Sequence, residues 1–346
     1  MSSARSTRST DGFTQARVAA PTLERVSHAA AMLAPHVRRT PVLPIDEGYL
    51  KLESLQPTGS FKVRGFFNAA LSADATRRAA GLLTVSAGNA AMACAHVAQH
   101  LGIPCRVVMF DTAPQAKRQG VERLGATVIP MPFAELLDWI SNERWQTEPE
   151  LFIHPFADTT VMNGHGTLAL ELVDQCPQIS RVVVPVGGGG LIVGVAATIK
   201  ALRPGVEVVG VQSDGYALWR DAFSTGGPVS LTPNTIADGS TGPFNPAMFE
   251  LLREHVDRWV TVRESRLRLA VAELAMRAKG RGRGRRRPRL RRARHARPRP
   301  RNGGGGQRRQ HRPRPGRRTA ARVRGSLVSP CVAVDCRCHR FGETDG

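Results

Sequence analysis

Short apolar runs alternate with stretches of helical pattern along the first 279 residues of the chain. Runs such as LLTVSA at 82–87 and RVVVPV at 181–186 are apolar at nearly every position, as strands are when both faces of their sheet are buried. The Ala-rich stretch 89–102 ends at Gly102, a residue suited to a helix C-terminus. This alternation predicts an α/β fold with mostly parallel sheets and helices on both faces.

The pattern predicts strands and helices in regular succession, in addition to a helix that follows Ser60. The strands cover 82–87, 105–110, 126–131, 151–156, 181–186 and 207–212, and the helices cover 89–102, 114–125, 165–176 and 191–202. Ligands of parallel sheets bind at the carboxyl ends of the strands. The residues that follow these strands are therefore the first candidates for a site.

The formal net charge of +21 is distributed very unevenly along the 346 residues. Residues 280–346 hold 22 Arg and three acidic residues, a net charge of +19, which leaves +2 for residues 1–279. Because the body of the chain is nearly neutral, the basic character of the whole chain says nothing about the ligand of the body.

The body has the composition of a soluble protein from a reducing compartment. Cys94, Cys105 and Cys176 are isolated in the sequence, which favours free thiols. The first ten residues contain no apolar segment of a secretory signal. The longest apolar run, at 191–199, is far shorter than the ~20 residues that a membrane-spanning helix needs. We therefore expect a cytoplasmic protein without membrane contacts.

The stretch PTGSFKVRG at 57–65 contains the first candidate for chemistry, Lys62. Pro57 to Gly59 predict a turn, and Ser60 is a suitable N-cap for the helix that follows. A lysine in the first turn opposes the helix dipole, which is an unfavourable place for a purely structural cation. A buried amine with a lowered pKa can form a Schiff base, whereas a lone lysine is more often a solvated surface residue.

Two loops that follow predicted strands can bind anions through backbone N–H groups. The loop from Ser86 to Asn89 opens a helix, so it is either a carboxylate-binding loop or an ordinary turn with a capping Asn. Gly187 to Gly190 lie between a buried strand and an apolar helix, where four glycines can wrap a phosphate. Neither the Lys-Ser/Thr pair of a P-loop nor the GxGxxG spacing is present, so a small cofactor with one phosphate fits best.

These strings together resemble the fold-type II pyridoxal-phosphate enzymes, and specifically the threonine/serine dehydratase and serine racemase group. The resemblance covers about residue 20 to Lys279, and it is carried in the family's order by RTPVLP, LESLQPTGSFKVRG, SAGN, LGIPCRVVMF, KRQGVERLGATVI, HPFADTTVMNGHGT, VVVPVGGGGLIVGVA and NTIADGS. It implies a two-domain, tryptophan synthase beta-like fold with pyridoxal 5′-phosphate between the domains. The large domain would hold 1–78 and 155–279, and the small domain would hold 79–154.

The resemblance also implies roles for individual residues. Lys62 would bind the cofactor as an imine, Phe61 would pack against the cofactor ring, and Asn89 would donate to the ring hydroxyl. The substrate carboxylate would bind at Ser86, Ala87, Gly88 and Asn89. The phosphate would be held by the backbone N–H groups of Gly187, Gly188, Gly189, Gly190 and Leu191.

The chemistry that the resemblance implies is dehydration of a hydroxy amino acid. Lys62 would take the α-proton as general base and the β-hydroxyl would leave, so that a 2-keto acid and ammonia form. Racemases have a serine at the position of Ala87, and an alanine cannot carry the second proton, which favours elimination. Threonine and serine stay open as substrates, and serine racemase or hydroxyaspartate dehydratase activity is the alternative.

Two positions depart from the family pattern. Ala90 stands where the family usually has His, and Gln212 stands where an acidic cation ligand is usual. We therefore expect no bound metal, although Asp214 is close to Gln212 in sequence. The resemblance also implies a homodimer.

The tail, residues 280–346, is rich in Arg, Pro and Gly, and such a segment is expected to be disordered. An Arg/Gly tail can bind nucleic acid through phosphate contacts. Segments of that kind usually interleave aromatic residues, and 280–338 contains none, so we expect no specific nucleic-acid partner. A nucleic-acid-binding protein stays the alternative from another functional class.

A shifted reading frame explains the composition of the tail. A family-like continuation V-A-E-G-A-G-A-A, written in GC-rich codons and read from the third base of its first codon, gives Gly-Arg-Gly-Arg-Gly-Arg-Arg, the sequence of residues 280–286. In the family, the C-terminal segment supplies a Ser or Thr hydroxyl for the pyridine nitrogen, usually before a Gly-Gly pair. The tail as written contains no such motif, so an inactive, truncated homologue is a further alternative.

Overall fold

The computed structural model describes residues 18–45, 48–280 and 332–335. The helices are α1 (Leu23–Leu33), α2 (Lys62–Ser72), α3 (Ala75–Ala79), α4 (Asn89–Leu101), α5 (Gln115–Glu122), α6 (Phe133–Ser141), α7 (Thr159–Gln175), α8 (Gly190–Leu202), α9 (Leu218–Thr225), α10 (Pro246–His255) and α11 (Glu264–Gly280). The strands are β1 (Val42–Ile45), β2 (Gly48–Lys51), β3 (Leu82–Val85), β4 (Cys105–Phe110), β5 (Thr127–Met131), β6 (Leu151–Phe152), β7 (Arg181–Pro185), β8 (Glu207–Ser213), β9 (Arg258–Val262) and β10 (Val332–Asp335). Short 3₁₀ turns cover Glu53–Leu55, Arg144–Thr147 and Asp238–Ser240.

The strands of the described residues form two sheets. The four-stranded sheet has the order β5-β4-β3-β6, and all of its pairs are parallel. The six-stranded sheet has the order β1-β2-β10-β7-β8-β9, in which β7, β8 and β9 are parallel and the hairpin β1–β2 and β10 pair antiparallel. The predicted α/β fold with mostly parallel sheets is confirmed, and the antiparallel strands were not predicted.

The helix that carries Lys62 lies between two apolar cores. One core contains Ile192 and Val193 of α8 with Val182 and Val184 of β7, and α7 packs against α8. The second core combines the α2 and α4 side chains with β3 and β4. Because α2 contacts both α7 and α4, burial on two sides fixes the position of its first residue.

A buried ionic network holds α2 in place. Arg64 of α2 donates to the carboxylate of Glu53 at 2.8 and 2.9 Å and to Glu171 of α7 at 2.7 Å. Lys51 of β2 donates to Glu171 and, at 2.7 Å, to the carbonyl oxygen of Thr40. Arg64, Glu53 and Lys51 are fully buried, so each charge depends on its partners for stabilisation.

The chain divides into two compact units, residues 1–268 with 328–346, and residues 269–327. Both sheets belong to the first unit. The strands of the four-stranded sheet all lie within 79–154, the predicted small domain. The predicted domain boundaries stay a prediction.

Most of the Arg-rich tail lies outside the described residues, and so do the expectations that we placed on it. Residues 281–331 and 336–346 include nearly all of the segment for which we expected disorder, a frameshift or contact with nucleic acid. Within the tail, Val332–Asp335 forms β10 between β2 and β7, where we expected no regular structure. The composition of the whole tail concealed this short strand.

The three cysteines of the body are buried, and Cys94 and Cys105 are free thiols, as predicted. Cys94 of α4 and Cys105 of β4 are isolated in the sequence, but their Sγ atoms lie 3.7 Å apart. Among the described helices, none combines the length and apolar character that crossing a bilayer requires.

Candidate active site

Lys62 is the first residue of α2, as the predicted first-turn position requires. Gly59 has φ +72°, and its N–H donates to the carbonyl oxygen of Gln56 at 2.8 Å, which closes the predicted turn. Phe61 directly precedes α2 and already has helical backbone angles, so Ser60 occupies the N-cap position by conformation, as predicted. The hydroxyl of Ser60 accepts the N–H of Lys62 at 3.3 Å, as the side chain of an N-cap residue does.

The amine of Lys62 lies in surroundings that favour its neutral form. Nζ donates to the carbonyl oxygen of Pro155 and lies 5.3 Å from the centre of the Phe61 ring. The ion pairs between described side chains include Lys51, Lys117 and Lys200 but not Lys62. Loss of hydration lowers the pKa of Lys62 from 10.5 to about 8. A nucleophilic amine is therefore available near neutral pH.

The glycine loop, Gly187–Gly190, joins β7 to α8 and has no room for side chains. A Cβ on Gly188 would lie 2.3 Å from Cγ of Phe156, and a Cβ on Gly190 would lie 2.5 Å from the Phe156 carbonyl oxygen. Gly189 has φ +94°, a conformation that favours glycine. The first N–H groups of α8 have no carbonyl of their own helix to bind, and the helix dipole there favours an anion.

Pro155 and Phe156 connect the lysine to the glycine loop. Pro155 accepts the Lys62 hydrogen bond, and the ring of the next residue covers Gly188. Nδ1 of His154 accepts the N–H groups of Phe156 and Ala157 at 3.2 and 2.8 Å. Burial, with a smaller effect of Lys62, lowers the pKa of His154 to about 3, so its imidazole is neutral and can accept these bonds. The string HPFADTT carried part of the resemblance, but sequence reasoning gave these residues no role.

The opposite side of the glycine loop is covered by residues 238–242. A Cβ on Gly187 would lie 2.9 Å from the carbonyl oxygen of Gly239, and a Cβ on Gly242 would lie 2.6 Å from the Gly188 nitrogen. Trp219 Nε1 donates to the Gly187 carbonyl oxygen at 2.6 Å. The glycine loop is therefore held between two layers, and the sequence indicated the second one only through the string NTIADGS.

The second predicted loop, from Ser86 to Asn89, follows β3 and opens α4. Ser86 Oγ accepts the N–H of Gly88 at 3.0 Å. Gly88 is the N-cap and Asn89 is already the first helical residue, so the alternative of an ordinary turn with a capping Asn is wrong. These residues, with Ala87 between them, are partly exposed, and their predicted contacts with cofactor and substrate stay predictions.

The geometry fits the groups that pyridoxal phosphate presents. An aldehyde needs a neutral amine, and Lys62 provides one. A phosphate needs backbone N–H groups without side chains around them, and the glycine loop offers these at the start of α8. The loop packs against Phe156, and the preceding residue, Pro155, accepts the hydrogen bond of the Lys62 amine. Fold and site together define a fold-type II pyridoxal-phosphate-dependent enzyme.

Comparison with known proteins confirms this assignment. The family described as pyridoxal-phosphate dependent enzyme matches residues 33–280, and the chain belongs to it. Phenylserine dehydratase of Ralstonia pickettii is 37% identical over 261 residues, 72% of this chain and 80% of the relative. Catabolic L-threonine dehydratase of Staphylococcus aureus (strain USA300) is 35% identical over 265 residues, 72% of this chain and 75% of the relative.

Solved structures agree with the family and with its cofactor. A threonine deaminase from T.th. has a TM-score of 0.68 at 34% identity, and the match covers 75% of this chain and 88% of that one. Maize serine racemase has a TM-score of 0.67 at 30% identity, and the match covers 74% of this chain and 79% of that one. The predicted family and the predicted cofactor, pyridoxal phosphate, are confirmed.

Gln212, which stands where the family usually has an acidic cation ligand, has a structural role in this protein. Oε1 of the buried Gln212 accepts the N–H groups of Trp219 and Arg220 at 2.9 and 3.2 Å, which fixes the start of α9. Asp214 accepts the N–H of Glu264 at 3.0 Å. Within the described ranges, no group of three His, Cys, Asp or Glu side chains could hold a metal ion.

Proposed function

We propose that this protein is a dehydratase that converts a small hydroxy amino acid into a 2-keto acid and ammonia. The observation that carries the proposal is Lys62, whose amine has a pKa of about 8, no carboxylate partner among the described ion pairs, and a hydrogen bond to the segment that covers the glycine loop. Relatives named as dehydratases, at 37% and 35% identity, support the same reaction class.

Different residues of the chain have different roles in this reaction. When bound, pyridoxal phosphate supplies an aldehyde for the amine and an electron-accepting ring for the α-carbon. The glycine loop binds the phosphate, and the loop from Ser86 to Asn89 orients the substrate carboxylate through N–H groups. Lys62 Nζ takes the α-proton, because its lowered pKa leaves a free electron pair near neutral pH. The water lost at the β-carbon is regained when ammonia leaves, so one amino acid gives one keto acid and one ammonia.

Ala87 favours elimination over racemisation. Its methyl group cannot hold or deliver a proton, so this position cannot supply the second proton carrier. Racemisation would need a second carrier on the opposite face of the substrate.

The test is incubation of the cofactor-loaded protein with L-threonine, L-serine, 3-hydroxyaspartate and phenylserine, with keto acid and ammonia measured for each. We expect equal amounts of the two products from at least one substrate, and none with Lys62→Ala. Lys200→Ala, which removes an exposed lysine far along the sequence, is the matched control and keeps full activity. Formation of the D-enantiomer without keto acid would instead identify a racemase.

We also propose that the active form has the tail in the reading frame of the body. Residues 303–311, GGGGQRRQH, are encoded by codons whose first two bases are largely fixed. A displaced codon begins at the second base of each codon as written and ends at the first base of the next. This is the same displacement that relates residues 280–286 to the family continuation. With suitable third bases, residues 303–311 read Val-Val-Val-Val-Ser-Gly-Gly-Asn-Ile in the displaced frame. This is an apolar strand followed by a Ser before a Gly-Gly pair, the motif that the tail as written lacks.

The nucleotide sequence of the gene decides this proposal. We expect CAG at Gln307 followed by CGG at Arg308 and CGG or AGG at Arg309, because only these codons give Ser-Gly-Gly in the displaced frame. A CAA codon at Gln307, or a stop codon in the displaced frame before this motif, would contradict it. We expect the frame-restored chain to develop the full cofactor absorbance band at stoichiometric pyridoxal phosphate, and the chain as written to need an excess.

Two finer properties implied by the resemblance are also proposals. We propose that the frame-restored protein is a homodimer, which light scattering after size-exclusion chromatography would measure as twice the chain mass. We propose a cytoplasmic location, in agreement with the free thiols of Cys94 and Cys105.

A further inference from the structure

Lys117 and Asp238 form an ion pair beside the glycine loop, with 2.7 Å between Nζ and Oδ2. Lys117 belongs to α5, which packs against β5 and α4 in the part of the protein built on the four-stranded sheet. Asp238 begins the 3₁₀ turn that lies against Gly187. Among ion pairs between described side chains, this pair alone joins residues 79–154 to the chain beyond them.

The aspartate side of the pair is firmly attached to the six-stranded sheet. The Glu264 carboxylate accepts the hydroxyls of Ser213 and Thr235 and, at 3.2 Å, the N–H of Ile236. The N–H of Ala237 donates to Thr235 Oγ1 at 3.1 Å. Asp238 therefore projects from a fixed turn, and the ion pair ties Lys117, and with it α5, to the turn that covers the glycine loop.

We propose that the Lys117–Asp238 pair is a latch that holds the four-stranded part of the protein, through α5, against the turn that covers the glycine loop. The two side chains are 35% and 51% exposed, so water and salt compete with the pair. An ion pair of this exposure changes an equilibrium only about two- to fivefold. A weak latch suits a site that must open in every turnover to admit substrate and release product.

Hydrogen–deuterium exchange of the cofactor-free protein tests the latch. In the variant Lys117→Asp, we expect amides of 86–90 and 187–191 to exchange about two- to fivefold faster, because the pair links α5, which packs against the helix that begins at Asn89, to the turn that covers residues 187–191. Wild type in 0.5 M salt should approach the same rates. The swapped variant Lys117→Asp with Asp238→Lys restores the attraction and should return to the slow rates of wild type.

Lys200→Asp is the matched control. The Lys200–Asp257 pair has a similar length, 2.6 Å, and similar exposure, 31% and 40%, but both partners lie on the six-stranded side. We expect this variant to leave both loops unchanged. Peptides covering β7 report global stability, and equal acceleration there in Lys117→Asp would show unfolding rather than opening.

Two results would overturn the latch: unchanged loop exchange in Lys117→Asp at low salt, or a swapped variant that exchanges as fast as the single variant. Neither measurement requires cofactor, substrate or turnover. A failed latch would therefore leave the proposed dehydratase reaction intact, and a failed dehydratase assay would leave the latch intact.

Discussion

Replacing Lys62 by Met should stabilise the cofactor-free protein near neutral pH. In the unfolded chain the amine has its usual pKa of 10.5, whereas in the folded protein burial lowers it to about 8. Below pH 8, folding therefore holds a cation in surroundings that disfavour it. A methionine of similar length removes this cost and keeps the apolar contacts of the side chain.

The magnitude follows from the difference between the two pKa values. At 1.36 kcal/mol for each factor of ten, the cationic lysine costs about 3 kcal/mol at pH 7. The side chain is partly exposed, and the variant also loses the hydrogen bond to Pro155, which is worth about 1 kcal/mol. We expect a net gain of about 2 kcal/mol in the free energy of unfolding.

The stability difference between Lys62→Met and wild type should depend on pH in a defined direction. Between pH 8 and pH 10.5 the unfolded wild-type chain binds more protons than the folded protein, so wild-type stability rises with pH in this window. The advantage of Lys62→Met should therefore shrink across the window, and above it only the lost hydrogen bond remains. Urea unfolding of both proteins from pH 7 to pH 10.5 measures this. A difference that is zero at pH 7, or constant across the range, would refute a pKa lowered by burial.

Three further changes test the glycine loop, the buried ionic network around Arg64 and the buried thiol of Cys94. Gly188→Ala places a Cβ 2.3 Å from Cγ of Phe156, so we expect at least tenfold weaker cofactor binding in a fluorescence titration. Glu53→Gln leaves the buried Arg64 without its main partner, and we expect urea unfolding to show a loss of about 3 kcal/mol. Burial raises the pKa of Cys94, so a chromogenic disulfide reagent at pH 8 should label it far more slowly in the native protein than in urea.

Matched controls separate these effects from general damage. Gly205→Ala adds a Cβ with nothing within 4 Å, and cofactor binding should not change. Glu250→Gln removes a carboxylate that is 57% exposed, and stability should change by less than about 1 kcal/mol. Rapid native labelling of Cys94 would show that its helix opens easily, against the packing that surrounds it.

Sequence reasoning succeeded where a feature depends on neighbouring residues. Strand β4 was predicted with its observed bounds and α8 to within one residue, because apolar periodicity and flanking glycines are local properties. Lys62 at the start of a helix and the glycine loop after β7 were also visible locally. The string order that resembles one enzyme family then gave these features a common cofactor, and the family comparison confirmed it.

Contacts between distant residues were the part that sequence reasoning missed. Pro155 meets the Lys62 amine across 93 positions, and Lys117 meets Asp238 across 121. The contact between the Cys94 and Cys105 sulfur atoms and the position of β10 in the six-stranded sheet were not expected either. No local pattern specifies such partners, because each partner lies outside the few residues over which periodicity and turn chemistry act.

The sequence by itself thus determined the central strands and helices of the body, the position of the glycine loop after β7 and which lysine is the candidate nucleophile. Only the tertiary structure decided that this lysine has a pKa of about 8, that Phe156 and residues 238–242 enclose the glycine loop, and that a buried network fixes α2. The physical reason is that periodicity and turn chemistry act over a few residues, whereas desolvation and ion pairing depend on which distant segments the fold brings together.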